Sequence, residues 1–147
     1  LFVKIAPDID PAAEAGLVER VFAAGLDGIV LCNTTTERPA GLRSPRAAAS
    51  GGLSGAPLTA RALAQLVRVR GLAGDRLALI ATGGVMTAAD ALARLEAGAA
   101  LVQVMTGWIY RGPRLLDEIG AALAGRAAVT PARPRSLPQP QPDPLRP

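Results

Sequence analysis

The chain has 147 residues, 50% of them apolar, with 16 basic and 12 acidic side chains, no histidine, one cysteine, and only two phenylalanines, one tryptophan and one tyrosine. That length can bury one core of ordinary size, and the core must be built from Leu, Val, Ile and Ala. So few aromatics leave no base-stacking surface for single-stranded nucleic acid, the lone Cys32 excludes an internal disulfide and fits a reducing compartment, and no apolar run approaches the roughly 20 residues of a membrane-crossing helix.

The charge is unevenly spread. Residues 1–125 hold twelve basic and eleven acidic side chains, whereas Arg126, Arg133, Arg135 and Arg146 face only Asp143 in the remainder. The net +4 is therefore mostly a property of the last segment. Arginines that sparse read as a solvated extension rather than a nucleic-acid or membrane patch. Leu1 falls inside a strand pattern and the only methionines are Met86 and Met105, so the chain is expected to be the C-terminal part of a longer protein. No signal-peptide pattern is present.

In chain order, Phe2 to Ala6 reads as a strand. Pro11 to Ala24 reads as a helix, with Asp10 as N-cap, Pro11 at the first helical position and Gly25 as the stop. Gly28 to Cys32 is the second strand. A long loop then leads to a helix from about Thr59 to Arg70. Leu77 to Ala81 is the third strand, ending in Thr82-Gly83-Gly84. Thr87 caps a helix that runs to about Ala97 and stops at Gly98. Leu101 to Met105 is the fourth strand, followed by a small polar turn and a helix from Pro113 to Ala124 that ends at Gly125. Prolines from there to Pro147 prevent regular packing, which divides the chain into a folded part, 1–125, and a Pro- and Arg-rich disordered tail, 126–147.

Four βα units with nearly continuous apolar strands call for a parallel sheet covered by helices. Half of a (β/α)₈ TIM barrel and an open doubly wound sheet both give this pattern. The strand ends decide between them. Lys4, Asn33, Gly83-Gly84 and Thr106 fall at or near C-terminal strand ends, where both folds place ligands. No strand runs into the G-x-G-x-x-G turn of a dinucleotide fold. A glycine pair after one strand and a small polar turn after the next instead suit the phosphate site that barrels build from their last two strand–loop units. The expected fold is thus α/β, the C-terminal half of a TIM barrel of about 250 residues. The segment LCNTTTERPAGL (Leu31 to Leu42), with GGLSG (Gly51 to Gly55) after it, describes a ligand site. It combines an amide and hydroxyls at a strand end with glycines that allow close approach.

Six blocks in register carry a family resemblance. They are VKIAPD at Val3 to Asp8, CNTT at Cys32 to Thr35, RPAGL at Arg38 to Leu42, GGLSGAPL at Gly51 to Leu58, ATGGV at Ala81 to Val85 and AGAALVQVMTG at Ala97 to Gly107. Together, from Val3 to about Leu123, they resemble the C-terminal half of dihydroorotate dehydrogenase. The IAPD and NTT forms are most similar to its quinone-dependent class 2. The resemblance implies an FMN-containing barrel that oxidises (S)-dihydroorotate to orotate in pyrimidine synthesis and passes electrons to a membrane quinone. It also implies a peripheral location on the cytoplasmic face of the inner membrane, and no nucleic-acid partner.

Residue by residue, the resemblance implies substrate contacts at Asn33 and Thr34. An amide is both donor and acceptor and suits the alternating edge of a pyrimidine. Lys4 matches the lysine that reaches the flavin, where a cation favours the reduced cofactor. It is the sole lysine beside fifteen arginines, a compact ammonium that arginine does not imitate. Cys32, Ser54 and Gly55 match flavin contacts, and Gly83, Gly84, Met105 and Thr106 match the phosphate end, where glycines open backbone N–H groups to phosphate oxygens. Met105 stands where the class usually has Tyr, and Thr82 where many members have Val. No metal ligands are implied. The catalytic serine base of class 2 is expected upstream of this chain; Ser44, Ser50 and Ser54 do not take its place, and Cys32 is not the base of class 1. A fragment of another FMN barrel, of class 1 or dihydropyrimidine type, or a non-catalytic half barrel are the other readings, and the fragment alone is expected to be inactive.

Overall fold

The computed structural model describes residues 1–126; the tail from residue 127 onward lies outside the described residues. The order is β1 (Phe2–Ile5), α1 (Pro11–Ala23), β2 (Gly28–Leu31), α2 (Thr59–Ala73), β3 (Ala78–Ala81), α3 (Ala88–Glu96), β4 (Leu101–Val102), α4 (Thr106–Arg111) and α5 (Arg114–Arg126). All three strand pairings are parallel and the strands lie in sequence order, β1-β2-β3-β4. Four successive βα units in unbroken order are the arrangement of part of a (β/α)₈ barrel.

The period-2 alternation of the strands separates two faces. Ile5, Leu31, Ala81 and Val102 form one row across the sheet and Val3, Ile29 and Leu79 the next. All of these but Val102 pack with Val18 and Val21 of α1 and Leu66, Val69 and Ala73 of α2 into the main core. The interleaved row, Lys4, Val30, Ile80 and Leu101, belongs to the other face, where Leu101 is 60% exposed.

Caps fix the helix starts. Asp10 accepts from the Ala12 N–H, with Pro11 at the first helical position. Thr87 and Asp90 form a reciprocal capping box, which satisfies two otherwise orphaned donors. Between α1 and α2, buried Glu14 receives a two-pronged contact from Arg68 at 2.9 and 3.0 Å. Such a carboxylate is tolerable in the interior because a planar guanidinium meets both oxygens.

Several element ends fall one residue from expectation, and four differences have a physical reason. Helix α2 runs past Arg70 and through Gly71 to Ala73, because Ala73 is fully buried in the core and packing outweighs the roughly 1 kcal/mol penalty of a helical glycine. Strand β4 pairs only over Leu101–Val102, because its partner β3 ends at Ala81, opposite Val102. The expected polar turn after it is the helix α4, whose Gly107 is buried against Val85 and Leu115. Helix α5 passes through Gly125, its expected stop, to Arg126. There the Arg126 guanidinium pairs with Glu96 of α3.

Candidate functional site

Every candidate residue named from the sequence lines a single cleft, open to solvent, at the C-terminal ends of the strands. Lys4 comes from β1; Cys32, Asn33, Thr34, Ser54 and Gly55 from the loop after β2; Gly83 and Gly84 from the turn after β3; and Met105 and Thr106 from the N-cap and first residue of α4. A parallel sheet delivers all its loops of one sense to one edge, which is why segments spread over a hundred residues converge here.

The wall after β2 is tied down by polar contacts. The Asn33 N–H donates to the Ile5 carbonyl at 2.8 Å, holding the loop to the end of β1. The Asn33 Oδ1 accepts from the Thr34 N–H at 2.9 Å. One acceptor of the amide is thus spent on the local turn, while its NH₂ stays available. Thr34 packs on Gly52, where an added Cβ would come within 2.1 Å of its Oγ1. Beneath them, Asp8 accepts from the Thr35 hydroxyl at 2.5 Å, the Thr36 N–H at 2.8 Å and the Thr36 hydroxyl at 3.0 Å. Arg61 of α2 pairs with Asp8 at 3.3 Å and also with Glu37. Burial pushes the Asp8 carboxyl up, but these donors and the Arg61 charge outweigh it and hold the group below its ordinary value. Thr35 and Leu53 exchange backbone hydrogen bonds at 3.1 and 2.7 Å. Arg38 clasps the excursion between them, donating to the carbonyls of Ala49 and Gly51, both at 2.7 Å.

The opposite wall is the Gly83–Gly84 turn. Both glycines have positive φ, 83° and 67°. A Cβ on Gly84 would lie 2.4 Å from the Thr59 backbone nitrogen, and one on Gly83 2.7 Å from the Cys32 sulfur. No side chain fits. Buried Cys32 donates weakly to the Thr82 carbonyl at 3.7 Å, and burial pushes its thiol up, so it is a packed neutral thiol rather than a nucleophile. The Thr106 hydroxyl donates to the Ser54 hydroxyl at 3.0 Å and joins the loops after β2 and β4.

Leu58, Val85, Gln103 and Gly107 also line the cleft and were not singled out from the sequence. Gln103 continues the line of β4 just past its last paired residue, a position legible only once strand ends are fixed. The supporting Asp8, Arg38 and Arg61 lie in or near the resemblance blocks, but residue type alone gives each of them a solvated role.

The site's identity can be tested against known proteins. A family model described as "Dihydroorotate dehydrogenase" matches residues 1–126. The dihydroorotate dehydrogenase (quinone) of Alkalilimnicola ehrlichii is 48% identical over 124 residues, which are 84% of this chain and 36% of that protein. The protein of the same name from Xanthobacter autotrophicus is 45% identical over 126 residues, 86% of this chain and 35% of the relative. Among solved structures, ligand-free dihydroorotate dehydrogenase from Eimeria tenella superposes with a TM-score of 0.82 at 38% identity, covering 87% of this chain and 36% of that one. This chain therefore spans about a third of the length of the relatives it matches. With a family match over all the described residues and a fold match at substantial identity, the chain belongs to the dihydroorotate dehydrogenase family.

Proposed function

We propose that this chain forms the FMN- and substrate-binding C-terminal half of the barrel of a quinone-dependent dihydroorotate dehydrogenase, an enzyme of pyrimidine synthesis held peripherally at the cytoplasmic face of the inner membrane. The carrying observation is the convergence of the Asn33–Thr34 amide and hydroxyl, the Lys4 ammonium and the Gly83–Gly84 turn on one cleft. Among the described residues no helix is long and apolar enough to cross a membrane.

The cleft suits a flavin phosphate. The Gly83–Gly84 turn is a cradle that any Cβ would fill. The N–H groups of Gly84 and Met105 have no backbone partner among the described residues. Unobstructed N–H groups beside glycines are the usual receptor for phosphate oxygens. Gly55, Ser54 and Cys32 would hold the ring side, with Lys4 offering its charge to the electron-rich end. When bound, FMN supplies a hydride acceptor and two-electron transfer onward to the quinone.

This chain's own residues do the positioning. The Asn33 NH₂ and the Thr34 hydroxyl hold the dihydroorotate ring, with Asp8 and Arg61 keeping their loop in place. Lys4 stabilises negative charge as the substrate is oxidised. The proton at C5 goes to a base elsewhere in the barrel, the serine that the family resemblance puts upstream of this chain.

A chimera in which residues 1–126 replace the matching segment of the Alkalilimnicola ehrlichii relative tests this reading. It should purify with FMN, lose flavin absorbance on adding dihydroorotate and regain it with a quinone. In that chimera Lys4→Ala should weaken FMN and slow flavin reduction by about ten-fold or more, given charge-assisted contacts of roughly 1.5–3 kcal/mol. A chimera that folds but neither binds FMN nor responds to dihydroorotate refutes the reading.

A further inference from the structure

Behind the Gly83–Gly84 turn lies a charged residue with no assigned task. Arg94, on α3, is 1% exposed. Every hydrogen bond it makes among the described residues goes to a main-chain carbonyl. Nη2 donates to Gly83 at 2.6 Å and to Thr59 at 3.3 Å, and Nη1 to Asp90 at 2.8 Å. Its Nε has no partner. A guanidinium in the interior is normally matched by a carboxylate. The nearest acidic influence is Asp90, whose carboxylate is engaged by Met86, Thr87 and the capping box. Arg94 thus keeps an incompletely neutralised charge one peptide away from the cleft.

The geometry of that peptide gives the charge an outlet. The 83–84 bond is trans, so the Gly83 carbonyl and the Gly84 N–H point in opposite directions. Arg94 captures the carbonyl on the buried side. The Thr59 hydroxyl captures the next carbonyl, that of Gly84, at 2.7 Å. The N–H groups of Gly84 and Val85 thereby point away from Arg94 and the Thr59 hydroxyl, and both residues line the cleft. A cation on a peptide's carbonyl also polarises its N–H, because hydrogen bonds in a low-dielectric interior strengthen one another.

We propose that Arg94 is a positioning residue for the anionic end of the cleft. From behind the turn it orients and polarises the Gly84 N–H for a phosphate monoester and supplies the positive potential that a dianion needs. This rests on the FMN reading above and deepens it. It predicts that Arg94 matters to the phosphate and not to the isoalloxazine ring.

The test compares FMN with riboflavin, which lacks the phosphate, on protein expressed from its complete reading frame and stripped of flavin. Binding is read by quenching of flavin fluorescence. The natural protein should prefer FMN. Arg94→Gln should lower the FMN-to-riboflavin affinity ratio by about ten-fold or more, the scale of a lost charge-assisted contact, with riboflavin binding little changed. Arg94→Lys, which keeps the charge, should restore most of that ratio. A purely structural arginine would weaken both flavins together and leave the ratio unaltered, which overturns the proposal. So does a folded Arg94→Lys protein that discriminates no better than Arg94→Gln. Should Arg94→Gln fail to fold, Arg94→Lys against the natural protein decides: a ratio within about three-fold supports the proposal, since charge is the property retained, and a collapsed ratio overturns it. If the natural protein itself binds both flavins equally, the FMN reading fails first and takes the proposal with it.

Discussion

One wall of the cleft, from Asn33 to Thr36, is held by charges that water can reach, and the other, Gly83–Gly84, by contacts that water cannot. The Asp8 and Arg61 side chains under the first wall are 23% and 34% exposed. The second wall rests on Arg94, at 1%, and on a fit in which a Cβ at Gly84 would overlap the Thr59 backbone. The difference teaches how one sheet edge can serve two ligands. A wall carried by a solvent-reachable polar network can adjust, as a substrate that enters and leaves requires. A wall carried by steric fit and a buried cation is rigid, as a retained cofactor requires.

The largest effect expected from breaking this contrast is at Gly84. Gly84→Val places a branched side chain at a φ of 67° and 2.4 Å from backbone, with no flexible neighbour to yield. Flavin content of the purified protein should fall to background, while dihydroorotate has no direct contact to lose. Full flavin occupancy in a folded Gly84→Val protein would show that the second wall is neither rigid nor at the phosphate.

A smaller effect belongs to the first wall and depends on pH. The Asp8 carboxyl sits below its ordinary value, so its ionised form is favoured by folding. Its contribution is complete above the unfolded value of about 3.9 and is lost as pH falls through the depressed folded value. The segment between Thr36 and Gly52 should therefore loosen in acid before the core does, read as faster hydrogen exchange or proteolysis there. Asp8→Asn should bring the looser state to neutral pH, by about 1 kcal/mol or roughly five-fold in cleavage rate, and remove its acid dependence. An acid response that persists in Asp8→Asn would assign it to another group.

The second wall's glycines were legible in the sequence because only backbone freedom explains a glycine pair at a strand end. Asn33, Thr34 and Lys4 were legible from their block resemblance and placement, and the caps at Asp10 and Thr87 from local chemistry alone. The sheet order followed from four alternating units. What could not be read was tertiary. Arg94 sits in an alanine-rich helix where an arginine defaults to solvent, and its spacing of three from buried Ala91 was the one hint that it turns inward. The short helix α4 was missed because Thr106-Gly107-Trp108 carries no helical period, and it forms because Gly107 lets it pack closely on Val85. The end of β4 was overestimated because apolar content does not reveal where a pairing partner stops.

The division of labour between the walls is tested most directly at Asn33, which lines the cleft while its backbone is fixed to Ile5. In protein expressed from its complete reading frame, bound flavin and dihydroorotate oxidation are measured on the same preparation of Asn33→Ala. Leaving a buried substrate group unpaired costs about 1–3 kcal/mol, so kcat/KM for dihydroorotate should fall by roughly ten-fold to a hundred-fold with flavin content unchanged. An Asn33→Ala protein that loses its flavin, yet oxidises dihydroorotate normally once FMN is added back, would contradict the account.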